Sequence, residues 1–236
     1  MDQKVHLITY SDELYENSKK RLLNEARDTN WFDEICGYSP KNITDDFKIT
    51  FGNILNYRQG CGFWIWKFDI VLQELRKMRP NDVLIYMDAG CSINPHAEKR
   101  FKEYINLLND SSESMISFQM NHSEIAYTTQ ELADELEYPL NYTGQYMATV
   151  LIMKNVEKTH TIFNKCIELL RKDSVLVTNE YNRNQAACFV ANRHDQSILS
   201  LIRKKLGSLV LPDETWFKSF EHEGLNYPFW ATRRRD

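Results

Sequence analysis

Asp82-Val83-Leu84-Ile85-Tyr86-Met87-Asp88-Ala89-Gly90 is the stretch that decides the fold. Its run from Val83 to Met87 is continuously apolar or aromatic, with no alternating polar positions. That pattern describes a strand covered on both faces, as in the middle of a parallel sheet. Pro80-Asn81 ends the preceding element and Gly90 breaks the strand's exit. Asp88 therefore stands at the carboxyl end of a central strand, the edge where open α/β sheets bind ligands. Ala89 and Gly90 are small enough for close approach. A carboxylate here is suited to hold a divalent cation or to accept hydrogen bonds from sugar or ribose hydroxyls. The alternative is an Asp that caps the turn before Asn94.

On the N-terminal side, Val5–Tyr10 reads as a short buried strand. A helix capped by Ser11 or Asp12 follows to about Arg27. Glu34–Tyr38 is a weaker strand, and 40–57 reads as helix and loop. Gly60 and Gly62 break the chain ahead of Phe63-Trp64-Ile65-Trp66-Lys67, after which an amphipathic helix runs to about Met78. On the C-terminal side the expected elements are a helix from Pro95 to Leu108, a strand from Ser114 to Gln119, and a short helix from Thr128 to Leu136. A strand from Gln145 to Met153 and a helix from Asn155 to Lys172 come next. A helix from His194 to Leu206 and a short strand from Ser208 to Leu211 precede an aromatic tail. Strands alternate with helices, which gives an α/β sandwich on a mostly parallel sheet. The length fits one domain over 1–236.

The composition is globular, 42% hydrophobic and 26% charged. A net charge of −4 argues against general nucleic-acid binding. Arg233-Arg234-Arg235 is a local exception, suited to phosphates or an anionic membrane surface, or else a solvated tail. Twelve Tyr, twelve Phe and five Trp exceed what the core requires, so part of them is expected to line a cleft that stacks sugars or a base. The five cysteines have no CxxC spacing and an odd count, which favours reduced thiols in a cytosolic compartment. No apolar run reaches membrane-spanning length and no signal peptide is read at Met1, so a cytoplasmic protein is expected. His122 with Glu124, and His222 with Glu221 and Glu223, lack the spacing of a zinc helix and are expected on the surface.

Other positions carry candidate chemistry. Arg58 is suited to pair with a phosphate through two parallel hydrogen bonds. Lys67 lies in the first turn of its helix, where backbone N–H groups also favour anions. Trp64 and Trp66 either stack on a sugar or belong to the core. His194-Asp195-Gln196-Ser197 opens a helix at the end of an apolar stretch. Asp195 is there either a helix cap or a catalytic carboxylate, and His194 either orients such a group or is structural. Gln119 and Thr143-Gly144-Gln145 end or precede strands with polar groups suited to sugar hydroxyls.

Four segments together resemble a known family. They are Arg58-Gln59-Gly60-Cys61-Gly62-Phe63-Trp64-Ile65-Trp66-Lys67, Tyr86-Met87-Asp88-Ala89-Gly90-Cys91-Ser92-Ile93-Asn94, Thr143-Gly144-Gln145 and Asn192-Arg193-His194-Asp195-Gln196-Ser197, with Pro228-Phe229-Trp230-Ala231-Thr232-Arg233 closing the chain. In order and spacing they resemble small GT-A glycosyltransferases of bacterial surface-polysaccharide gene sets and large DNA viruses. The resemblance implies a GT-A-like, Rossmann-like α/β/α fold. Residues 1–110 would form a nucleotide-sugar half, and 111–236 an acceptor and catalytic half with a C-terminal lid.

It also implies a nucleotide-diphosphate-sugar donor, a glycan acceptor, and Mn²⁺ or Mg²⁺ held through Asp88, in the cytoplasm or, for a viral chain, the host cytosol. The donor set is then Tyr10, Arg58, Trp66, Lys67, Asp88, Ala89 and Gly90. Acceptor or sugar contacts are Gln119, Thr143, Gly144, Gln145 and Gln196. Asp195 and His194 are catalytic, with Asp195 as general base in an inverting enzyme or part of an Asp-Gln pair beside the anomeric carbon in a retaining one. Trp230 and Arg233 belong to the lid. Gly90 departs from the family's Asp-x-Asp pattern, since it replaces the second acid. The competing readings are a sugar-phosphate nucleotidyltransferase, a phosphatase of the Asp-x-Asp type, or a carbohydrate-binding module without catalysis. The first normally carries a Gly-rich basic loop after its first strand, where this chain has Ser11-Asp12-Glu13. The second needs the acid that Gly90 replaces.

Overall fold

The structure is a computed structural model that describes residues 3–235. Among the described residues nine strands are formed: β1 (Val5–Tyr10), β2 (Glu34–Tyr38), β3 (Val83–Met87), β4 (Ser92–Ile93), β5 (Met115–Ser123), β6 (Gly144–Tyr146), β7 (Val150–Lys154), β8 (Leu209–Pro212) and β9 (Phe229–Trp230). The helices are α1 (Glu16–Thr29), α2 (Asp45–Leu55), α3 (Gly60–Phe63), α4 (Trp66–Lys77), α5 (Glu98–Asp110), α6 (Glu124–Tyr127), α7 (Gln130–Glu135), α8 (Glu157–Lys172) and α9 (Asp195–Leu206).

Seven strands make the main sheet in the order β2-β1-β3-β7-β5-β6, with β8 on β5. β1 pairs in parallel with β2 and β3. β7 runs antiparallel to both β3 and β5, so β5 shares the direction of β3. β8 is parallel to β5 and β6 antiparallel to it. The sheet is thus mostly parallel in direction, with β6 and β7 reversed.

Period-two alternation along the strands sorts the core into two layers. Leu84 and Tyr86 of β3 join Ile70 of α4, Phe163 of α8 and Ile198 of α9 on one face. Val83, Ile85 and Met87 join Leu22 of α1 and Phe101 and Leu108 of α5 on the other. All five β3 side chains are fully buried, each contributing roughly 1.5–3 kcal/mol of apolar burial. This is the α/β/α sandwich expected from the uninterrupted apolar run.

The expected strand from Gln145 to Met153 is instead two strands. β6 pairs with the far end of β5 through a bulged register, whereas β7 pairs with its start and with β3. The chain steps between them at Met147-Ala148-Thr149, beside the carboxyl end of β3. The tail returns to the same edge, where β9 pairs antiparallel with β4 at Ser92↔Trp230 and Ile93↔Phe229.

Candidate functional site

A cavity of about 750 Å³ opens where β1 and β3 end and where the chain steps between β6 and β7. Asp88 emerges from β3 into it. Its backbone N–H donates to the Thr149 carbonyl at 2.9 Å, and its Oδ1 accepts from the Tyr86 hydroxyl at 2.5 Å. Asp195, the first residue of α9, lines the same cavity. Lys67, at the start of α4, lies between the two acids. Its Nζ is 2.6 Å from Asp195 Oδ2 and 3.6 Å from Asp88 Oδ1, and it donates to the Ala148 carbonyl at 3.0 Å. The Lys67 and Asp195 side chains are 2% and 7% exposed, against 32% for Asp88, so Asp88 is the acid that meets solvent.

Burial governs the electrostatics. It pushes the Asp195 carboxyl up to about 6, with Lys67 opposing the rise and Asp88 adding to it. Burial works against the Lys67 ammonium too, but Asp195 and Asp88 together hold its pKa above the ordinary lysine value. Burial and the Asp88 charge keep the Tyr86 phenol protonated and available as a donor.

The wall facing these groups is unusual. Gly60, Cys61, Gly62, Phe63 and Trp64 all have positive φ, between 49° and 93°. Phe63 N–H donates to the Gln59 carbonyl at 2.7 Å and Trp64 N–H to that of Gly60 at 3.1 Å. The segment is one turn of left-handed helix, a conformation that costs roughly 1–2 kcal/mol for each non-glycine residue. Gly62 is required there, because a Cβ would lie 2.7 Å from Leu55 Cα. Packing holds the turn closed. The Trp66 indole N–H donates to the Gly60 carbonyl at 2.9 Å, the Trp66 ring stacks on Tyr10 at 3.6 Å, and Cys61 Sγ donates to Asp12 at 3.0 Å. Strain of this kind collects at functional sites. The turn places Arg58, Gln59 and Trp64 on the cavity wall.

His194 precedes α9 with φ 56° and ψ −121°. Its Nδ1 is 2.7 Å from the Val177 carbonyl, which only accepts, so Nδ1 carries the proton. Nε2 then accepts from the Gln59 side-chain amide at 2.8 Å. Burial lowers its pKa, which suits this neutral tautomer. His194 thereby ties the left-handed turn to the start of α9. Gln196 lines the cavity while donating to Gln145 Oε1 at 2.8 Å and accepting from Ala148 N–H at 3.4 Å.

By sequence alone, neither a protein-family model nor a curated protein matches the chain. Solved structures do match it in shape. One is a glycosyltransferase involved in glycosylation of the major capsid of PBCV-1, with a TM-score of 0.54 at 13% identity over 96% of this chain and 91% of that one. Mouse xyloside xylosyltransferase 1 aligns with a TM-score of 0.52 at 11% identity, over 92% and 89% of the two chains. The glycosyltransferase GlyE of Streptococcus pneumoniae aligns with a TM-score of 0.52 at 16% identity, over all of this chain and 56% of its own. The fold is that of the GT-A glycosyltransferases.

Within this GT-A fold, Tyr10, Arg58, Trp66, Lys67, Asp88, Ala89, Gly90, His194, Asp195, Gln196 and Arg233 converge on one cavity. Gln119, Thr143, Gly144, Gln145 and Trp230 are not among its lining. Gln145 is fully buried behind the wall, where its amide reaches Glu124, Thr128, Ser197 and the Tyr127 carbonyl. Gly144 lies under the Met120 carbonyl, and Gln119 and Thr143 follow the β5–β6 pairing and its adjoining loop. Trp230 donates to the Gly224 carbonyl at 2.9 Å within the tail. Two expectations change in detail. The Lys67 ammonium faces carboxylates and a carbonyl, so it serves as their counter-ion. The space over Gly90 is filled by the tail, since a Cβ there would meet Arg233 Cα and the Arg234 carbonyl at 3.2 Å.

That environment bears on the implied divalent cation. Gly90 supplies no second acid, and the Asp195 carboxylate is paired with Lys67. Among the described residues no group of three or more His, Cys, Asp or Glu is placed to hold a metal ion. Asp88 with an ammonium 3.6 Å away, and Asp12 already engaged by the Tyr15 N–H and the Cys61 thiol, do not fit a protein-bound divalent cation. Several lining residues were not singled out from the sequence as site residues, among them Asp12, Tyr15, Ala148, Thr149 and Arg193. Arg193 sits inside a quoted motif; Arg235, from the basic tail expected to suit phosphates or a membrane surface, lines the cavity with Arg233.

Proposed function

We propose that the chain transfers a sugar from a nucleotide-diphosphate-sugar donor to a hydroxyl of a glycan acceptor. The carrying observation is the convergence of Asp88, Lys67 and Asp195 at the carboxyl edge of the sheet, in a cavity large enough for a sugar nucleotide. In this reading Asp88, the more exposed acid, accepts hydrogen bonds from donor hydroxyls. Asp195 is the general base. An acceptor hydroxyl forms a bond to the anomeric carbon, the bond from that carbon to the diphosphate oxygen breaks, and the hydroxyl proton passes to Asp195. A carboxyl pushed up to about 6 is matched to that task near neutral pH. Lys67 keeps it ionised while water is excluded. Gln196 is the sugar contact carried forward, because it lines the cavity beside Asp195.

The residues before about 110 supply Asp88, Lys67 and Arg58 to the donor side, and those after it supply Asp195, Gln196 and the tail that borders the site. A role in surface-glycan synthesis and a cytosolic setting belong to the same reading. In support of the setting, all five cysteines are free thiols.

A donor-hydrolysis screen tests the proposal. Purified protein is incubated with a panel of nucleotide sugars, and release of nucleoside diphosphate is measured. Release from at least one donor is expected. Pyrophosphate-dependent exchange instead would identify a nucleotidyltransferase, and thermal stabilisation by a sugar nucleotide without turnover would identify a binding module.

A further inference from the structure

We propose that the donor diphosphate is held directly by four guanidinium groups, Arg58, Arg193, Arg233 and Arg235, so that donor binding needs no divalent cation. This inference rests on the donor reading above and specifies how the charge of that donor is met.

All four arginines line the cavity. Among the described residues none of them has a carboxylate partner, in contrast to Arg21, Arg79 and Arg100. Two are held by rings. Arg193 lies over Tyr127, with Cζ 4.5 Å from the ring centroid, and Arg235 lies over Tyr15 at 5.5 Å. A ring beside a guanidinium offsets its charge without occupying its N–H groups, which remain able to make bidentate contact with phosphate. Arg58 comes from the entry to the left-handed turn.

Arg233 and Arg235 come from the tail, which is fastened beside Asp88. Arg234 N–H and the Thr232 hydroxyl both donate to the Gly90 carbonyl at 2.9 Å. Ser18 donates to the Arg234 carbonyl at 3.2 Å. Arg233 and Arg235 reach the cavity, while the intervening Arg234 is not among its lining and has Glu25 at 4.0 Å.

The charge balance agrees. Lys67 and the four arginines face Asp12, Asp88 and Asp195, five cations against three carboxylates. The surplus matches the roughly two negative charges of a sugar-nucleotide diphosphate. Gly90 and the tail backbone above it occupy the position of a second metal-binding acid. The tail that fills this position also delivers two of the arginines.

Calorimetric titration with UDP, GDP, ADP and CDP, each in excess EDTA and in Mn²⁺, tests the proposal. At least one nucleotide is expected to bind in EDTA with a Kd within about threefold of its Mn²⁺ value, and more weakly as salt rises. Arg58→Ala and Arg233→Ala, both at exposed side chains, are each expected to weaken binding about tenfold or more. Arg76→Ala, an exposed position on α4 outside the cavity lining, is expected to bind as wild type. Binding that appears only with Mn²⁺ overturns the proposal and leaves the donor reading standing. Wild-type affinity in both cavity variants, with their unfolding temperatures unchanged, also overturns it. If no nucleotide binds under either condition, the donor reading and this inference both fail.

Discussion

Replacing Lys67 by Met removes one charge from a buried cluster and keeps the length of the side chain. The variant loses the contacts at 2.6 Å to Asp195, 3.0 Å to the Ala148 carbonyl and 3.6 Å to Asp88. Removing one partner of a buried ion pair costs about 3–5 kcal/mol, which in a chain of this size lowers the unfolding temperature by roughly 6–20 °C. The loss should depend on pH. In the wild type, burial already lifts Asp195 from 3.8 to about 6, equivalent to about 3 kcal/mol favouring the protonated carboxyl. Without the ammonium, Asp195 rises further and takes up a proton.

A group whose pKa is raised on folding supports the folded state most fully below its unfolded value, and that support fades as pH rises through the folded value. The variant should therefore lie closer to wild type at pH 5 than at pH 8. Adding Asp195→Asn to Lys67→Met should recover part of the pH 8 loss, because the unpaired buried charge is then gone. Thermal unfolding of the two variants and wild type at both pH values is the assay. If Lys67→Met unfolds within about 1 °C of wild type at pH 8, Lys67 is not the buried counter-ion of this site.

Four further outcomes follow from the geometry. Asp195→Asn should lower turnover about 10²-fold or more. Wild-type kcat/KM should rise with pH through about 6 and level above it, since the base acts when ionised; a pH-independent profile would return Asp195 to a helix-capping role. Gly62→Ala must place a side chain at φ 93° and 2.7 Å from Leu55 Cα. It should cost at least about 2 kcal/mol, roughly 4–8 °C in unfolding temperature. Gly52→Ala on α2, with no atom within 4 Å of the new Cβ, should leave stability unchanged or slightly higher.

The fold was legible where one local rule decided each element. The apolar run of β3 and the periodic faces of α4, α5, α8 and α9 needed no tertiary knowledge. The break between β6 and β7 was hidden because Gln145–Met153 has no glycine or proline to mark it. It is made by β5, which offers different stretches to the two strands, and the step exposes the Ala148 and Thr149 carbonyls that receive Lys67 and Asp88.

The cavity lining was legible in part, and the relations among its residues were not. Asp88 and Asp195 could be named from strand and helix ends. That Lys67 would bridge them depends on how α4 and α9 meet across the sheet. Gly60 and Gly62 announced a turn, but its left-handed course also involves Cys61, Phe63 and Trp64, whose side chains ordinarily oppose it. The sugar contacts expected at Gln119 and Gln145 rested on polar groups beside strands. Burial of Gln145 against Glu124 and Ser197 sends its amide into the core instead.

Whether the Asp88 carboxylate grips the donor is decided by the turnover of Asp88→Asn. The amide oxygen still accepts from the Tyr86 hydroxyl, so folding is retained while the negative charge at the end of β3 is lost. With a donor that the wild-type protein hydrolyses, the variant is expected to unfold close to the wild-type temperature and to release nucleoside diphosphate only at background. Release at the wild-type rate from the folded variant would contradict that role.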